Sequence, residues 1–151
     1  IYGNFGQSNY GAAKMGLVGF MNVLHLEGAK YNIRVNALAP VAATRMTENL
    51  MPPEALAMLT PEAVSAGLGY LVSEDAPSRV VLAAGAGGYA ASKIYETDGI
   101  YLPPERQTPE GVAENFAAIL DTDAQKEFQQ GGEQGIKFLA KAAASLGVKL
   151  G

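Results

Sequence analysis

Between Tyr10 and about Lys30 the apolar positions Leu17, Phe20, Met21 and Leu24 recur at three- and four-residue spacing. That period predicts a helix with one apolar stripe. Ser8 or Asn9 is expected to cap it, because a short polar side chain can satisfy the free N–H groups of the first turn. Gly11, Ala12, Gly16 and Gly19 are small and predict close approach to a sheet or a twin helix. After Tyr31-Asn32, the run Ile33 to Ala39 is β-branched and mostly apolar, which predicts a buried strand that Pro40 ends. Val41 to about Pro61 is polar and methionine-bearing, with a short helix expected over Glu54 to Leu59. Glu62 to Ser73 returns to helical spacing through Val64, Leu68, Leu71 and Val72, and Arg79 to Ala84 predicts a second buried strand. This alternation is the order of an α/β parallel sheet.

Gly85-Ala86-Gly87-Gly88 breaks the second strand. Tyr89 to Leu102, around Asp98-Gly99, predicts a hairpin-like extension. Thr108 is expected to cap a helix that has Pro109 in its first turn and runs to about Leu120. Gly131-Gly132 precedes a last amphipathic helix, Glu133 to Leu146. The expected division is 1–104, a sheet-forming domain, and 105–151, a helical extension.

The chain has 151 residues, of which 48% are hydrophobic and 17% charged, the balance of a globular domain rather than a disordered one. A net charge of −4 gives no electrostatic footprint for nucleic acid or an acidic membrane surface. No cysteine is present, so disulfides and thiolate metal sites are excluded, and no metal site is expected. A cytoplasmic setting is the expectation. Ile1 stands where an intact translation product would carry methionine, so an incomplete polypeptide is expected.

Tyr10 and Lys14 are the candidate chemistry. Four residues apart on a helix, they share a face. A free tyrosine titrates near 10, and a nearby ammonium favours the phenolate. The pair can therefore act as a proton donor or acceptor with its tuning cation. His25, the single histidine, has no acidic cluster around it in sequence and is expected to be structural. Gly85 to Gly88 follows a strand but does not open a helix, so a turn is expected there rather than a phosphate loop.

Tyr10-x-x-x-Lys14, the glycine- and alanine-bearing helix, and Asn32-Ile33-Arg34-Val35-Asn36-Ala37-Leu38-Ala39-Pro40 together resemble the short-chain dehydrogenase/reductase family over residues 1 to about 86. Ile1 to Tyr10, together with Ala39 to Thr47, is similar to the (3R)-hydroxyacyl-CoA dehydrogenase module of peroxisomal multifunctional enzyme type 2 and its bacterial relatives. The resemblance implies the C-terminal half of a doubly wound Rossmann-type parallel sheet, with a C-terminal hairpin and helical extension. It implies an NAD or NADP cofactor and hydride exchange with a secondary alcohol or ketone, in particular a 3-hydroxyacyl-CoA. Tyr10 would be the acid/base, and Lys14 would tune it and bind the nicotinamide ribose. Pro40, Val41, Ala42, Ala43 and Thr44 would meet the nicotinamide. Val41 departs from the glycine common after this proline, which leaves Thr44 or Thr47 as the hydroxyl, with Thr44 preferred. Met46, Leu50, Met51 and Met58 would cover the substrate or simply pack a lid. The family's glycine-rich phosphate loop, its serine and its relay asparagine would all precede Ile1. Two alternatives follow: a short-chain reductase for a steroid or other small ketone, or an inactive fragment or interaction module lacking the cofactor-phosphate half. The resemblance also implies a homo-oligomer formed through the Tyr10 helix, with Gly16, Gly19, Phe20 and Val23 on the shared face.

Overall fold

A helix of 21 residues, α1 (Ser8–Gly28), opens the regular structure of the computed structural model, which describes residues 1–44 and 51–150. Its first turn is not capped by Ser8 or Asn9. Gln7 stands at the cap position without a side-chain bond, and the Asn9 carboxamide accepts instead from the Tyr10 amide at 2.8 Å. The buried stripe also differs from the expected one: Val18 and Met21 face the core, whereas Leu17 and Phe20 are exposed. Apolar residues occupy both sides of this helix, so periodicity alone could not choose between them. A 3-10 turn, Ala29–Tyr31, follows, and Asn32 adopts a left-handed conformation (φ 54°) that reverses the chain.

The first strand, β1, is Ala37–Pro40, shorter than the run from Ile33 predicted. Ile33 to Asn36 spend their polar groups off the ladder. The Ile33 amide donates to Gly28, the Val35 amide donates to Ser78 Oγ, and the Val35 carbonyl accepts from the Arg79 amide. Helix α2 (Pro53–Met58) lies close to the short helix expected over Glu54 to Leu59, and α3 (Pro61–Leu71) lies where helical spacing predicted it. Strand β2 is Val81–Gly85 and pairs in parallel with β1, Ala37 opposite Val81 and Pro40 opposite Ala84. It starts two residues later than predicted because Arg79 has a positive φ of 66° that no ladder accommodates.

A third strand, β3 (Gly88–Ser92), pairs antiparallel with β2. The tight hairpin therefore turns at Ala86 and Gly87, both with positive φ (51° and 77°), and not at Asp98-Gly99. Two successive left-handed residues match the right-handed twist of the strands they join. The sheet, in order β1-β2-β3, is thus mixed, with a parallel pair and one antiparallel edge. Val18 and Met21 pack on Val81, with Val35, Ala37 and Ala39 around them, so α1 covers one face of the sheet. Among the described residues no helix is long and apolar enough to cross a membrane.

The chain divides into two compact units, Ile1–Lys93 and Ile94–Gly151. In the second, Thr108 caps α4 (Pro109–Glu114): its hydroxyl accepts from the Gly111 amide at 3.0 Å. The predicted helix to Leu120 is interrupted at Asn115, whose side-chain amide donates back to the Gly111 carbonyl, and resumes as α5 (Phe116–Ile119). Helix α6 (Gly132–Leu146) ends at Gly147 in the left-handed conformation. It is tied to the extended segment Glu96–Asp98 by two ion pairs, Lys137 with Glu96 and Lys141 with Asp98. Lysines four apart on a helix and acids two apart on an extended segment each share a face, so the rungs align.

Candidate active site

Tyr10 and Lys14 lie in the first two turns of α1, on one face, with the Lys14 ammonium 5.4 Å from the centre of the Tyr10 ring. Tyr10 is 57% exposed, so its phenol is open to a ligand. Lys14, Val18, Met21 and His25 follow one another at four-, three- and four-residue spacing. The pair therefore prolongs the face that the helix buries further along.

The short connection from α1 to β1 sends the strand back along the helix. The Tyr10 end of α1 thus belongs to the carboxyl end of β1, where Pro40 closes the ladder. Val41 and Ala43 are held rather than loose: their amides donate to Ala84 at 2.8 Å and to Leu59 at 2.7 Å. A Cβ on Gly85 would lie 2.7 Å from the Val41 carbonyl oxygen, so glycine is required where β2 meets this loop. An apolar hollow of about 450 Å³ opens here, lined by Val41, Leu59, Ala84, Gly85 and Tyr89 among others. Ala42 and Thr44 lie within the same loop, while Met46, Thr47 and Leu50 fall outside the described residues.

His25 is structural in this fold. Its Nδ1 meets Ser78 Oγ at 2.9 Å, and the same hydroxyl accepts from the Val35 amide at 3.0 Å. Sequence reasoning passed over a wider set of such ties. Arg34 Nη1 donates to the carbonyls of Glu74 and of Ala76, the latter at 2.9 Å. Asn36 donates to the Pro77 carbonyl at 2.7 Å and accepts from the Val80 amide at 3.0 Å. The alternation of polar residues through an otherwise apolar run, Asn32, Arg34 and Asn36, was the available signal. These side chains fasten the connection between α3 and β2 and so fix the parallel register behind the candidate site.

Residues 1–55 match the family described as short chain dehydrogenase. A short-chain type dehydrogenase/reductase of Mycobacterium tuberculosis is 49% identical over 129 residues, which is 83% of this chain and 44% of that protein. The peroxisomal hydratase-dehydrogenase-epimerase of Saccharomyces cerevisiae is 44% identical over 124 residues, 80% of this chain and 14% of that protein. The full-length peroxisomal multifunctional enzyme type 2 of Drosophila melanogaster superposes with a TM-score of 0.80 at 28% identity, covering 96% of this chain and 27% of that one. The chain thus spans less than half the length of these relatives. The tyrosine–lysine helix, the parallel β1–β2 pair and these matches agree that the chain belongs to the short-chain dehydrogenase/reductase family.

Proposed function

We propose that this chain supplies the proton-transfer half of an NAD- or NADP-linked dehydrogenase acting on a 3-hydroxyacyl-CoA or a similar secondary alcohol. The observation that carries the proposal is the Tyr10–Lys14 pair on one helix face at the carboxyl end of the parallel β1–β2 pair. Doubly wound sheets bind ligands at that end. The names of the yeast and mycobacterial relatives support the dehydrogenase class.

The residues present fit the nicotinamide half of such a cofactor. Lys14 offers an ammonium beside an exposed phenol, suited to ribose hydroxyls, and the Pro40–Thr44 loop offers backbone carbonyls to a carboxamide. With the amides of Val41 and Ala43 already bonded within the protein, the loop is a fixed shelf rather than a mobile flap. The Gly85–Gly88 segment is a hairpin turn, as expected, rather than the opening of a helix. The bound cofactor would accept the hydride in oxidation and supply it in reduction. In oxidation Tyr10 takes the alcohol proton at Oη; in reduction it returns that proton to the carbonyl oxygen. Lys14 keeps its ammonium beside that phenol in both directions.

Helix α1 presents a second face. Leu17, Phe20 and Val23 are 54%, 59% and 52% exposed, and nothing lies within 4 Å of a Cβ placed on Gly16 or Gly19. We propose that this face pairs with the same helix of another copy.

Replacing Tyr10 with phenylalanine in the full-length protein tests the function. NAD(P)-linked turnover of a 3-hydroxyacyl-CoA is expected to fall by about 10²–10⁴. Undiminished turnover would refute the role given to Tyr10. No turnover on acyl-CoA, with turnover on a steroid or small ketone lost in the same variant, would move the substrate and keep the mechanism.

A further inference from the structure

We propose that His25, Ser78, Asn22 and Arg79 form a positioning device that fixes where the Tyr10 end of α1 lies; this inference rests on the dehydrogenase function proposed above. From Ser8 to Leu17 the helix buries no side chain, and burial begins only at Val18. The Tyr10–Lys14 end is therefore held at a distance, through the stiffness of the helix. His25 is fifteen residues beyond Tyr10, about 22 Å at a rise of 1.5 Å per residue.

What grips the far end is of two kinds. Val18 and Met21 pack on Val81, a contact that resists separation but has no preferred direction. The hydrogen bonds are directional. His25 Nδ1 meets Ser78 Oγ at 2.9 Å, and Arg79 Nε donates to Asn22 Oδ1 at 3.1 Å. Asn22 and His25 are three apart on the helix, while Ser78 and Arg79 are consecutive just before β2. Two adjacent points on the sheet frame thus meet two adjacent points on the helix and fix both its slide and its rotation.

Residues 78 and 79 are themselves anchored to β1. Ser78 Oγ accepts from the Val35 amide at 3.0 Å, and the Arg79 amide donates to the Val35 carbonyl at 2.7 Å. The one Ser78 hydroxyl thus meets both the Val35 amide and His25 Nδ1. Arg79 holds a positive φ of 66°, unusual for a side chain of its size, and its guanidinium reaches α1 from that conformation. Because Lys14, Val18, Met21 and His25 share a face, a rotation of the helix at His25 would turn Lys14 by the same angle.

Ser78→Ala removes the hydroxyl that joins His25 to Val35, and Ser78→Thr keeps it. In the full-length protein, at equal folded fraction, Ser78→Ala should lower kcat about tenfold and raise the cofactor KM several-fold, because small misplacements of a reacting group are costly. Ser78→Thr should restore both. Fluorine NMR of protein carrying fluorotyrosine gives a readout independent of turnover. The Tyr10 resonance, assigned by its loss in Tyr10→Phe, should shift or broaden in Ser78→Ala and return in Ser78→Thr. An unmoved Tyr10 resonance with wild-type kinetics would overturn the inference. So would a fall in kcat that tracks folded fraction with KM unchanged. If Tyr10→Phe stays fully active, the functional proposal fails, and the resonance still decides whether Ser78 positions the helix.

Discussion

The two units hold their shape by different means. In Ile1–Lys93 a three-stranded ladder, a small aliphatic core and the side-chain bonds of His25 with Ser78 and of Arg79 with Asn22 fix α1 against the sheet. In Ile94–Gly151 short helices and extended segments are joined by charged tethers, Lys137 with Glu96 and Lys141 with Asp98, and by a single isolated bridge between Glu96 and Lys126. The first arrangement rests on packing and directional hydrogen bonds; the second adds ion pairs whose strength depends on protonation. A reacting pair that must hold its geometry is better placed on the first. The proposed active-site residues all fall there.

The comparison breaks most readily at the core. Met21→Ala should destabilise the first unit by about 2–3 kcal/mol, since Met21 is 4% exposed and packs on Val81. Amide exchange should show the loss in α1 and β1–β2, with α6 unchanged; equal loss in both units would dissolve the distinction. Gly111→Ala should follow in size. A Cβ there would lie 2.1 Å from the Arg106 carbonyl oxygen, so the turn before α4 must shift, at a cost of about 1–3 kcal/mol. The loss should be confined to the second unit. Thr108→Ala removes the one bond that caps α4 and should cost about 1 kcal/mol in the same amides.

The smallest effect is that of pH. The Lys137 ammonium holds Glu96 below its ordinary 4.5, and Lys141 holds Asp98 below its ordinary 3.8. Groups depressed on folding contribute stability that is complete above their unfolded values and is lost as pH falls through the folded ones. Amide exchange in α6 should therefore accelerate, after correction for intrinsic rates, as pH falls from about 6 to about 3, and Glu96→Gln should flatten that dependence. Protection lost first in β1–β2 would contradict the assignment of the tethers to the second unit.

The same division governs what could be seen in sequence. Helical spacing located α3 and α6, and Thr108 with Pro109 marked the start of α4, because caps and periods are local. The parallel pair followed from the order of elements. The extended segment from Tyr89 was legible but its turn was misplaced at Asp98-Gly99; β3 is set by the left-handed Ala86-Gly87 turn and by Tyr89, whose hydroxyl donates to the Ala63 carbonyl at 2.6 Å. The tethers of the second unit were written as Glu96-x-Asp98 and Lys137-x-x-x-Lys141, but matching them requires knowing that two segments forty residues apart meet. For the candidate site, the i,i+4 rule and the family resemblance gave Tyr10 and Lys14. Neither could give Ser78 or Arg79, whose partners lie on α1 more than fifty residues away.

One consequence concerns length rather than strength. Between Glu74 and Val80 the chain is bonded group by group: carbonyls 74, 76 and 77 to Arg34 and Asn36, the Ser78 hydroxyl to His25 and Val35, amides 79 and 80 to Val35 and Asn36. Most surface connections absorb an added residue by bulging. Here an insertion would move every later group out of reach of its partner, and β2 would lose its alignment with β1. This connection is thus a ruler, and changes in chain length during divergence or engineering should fall elsewhere.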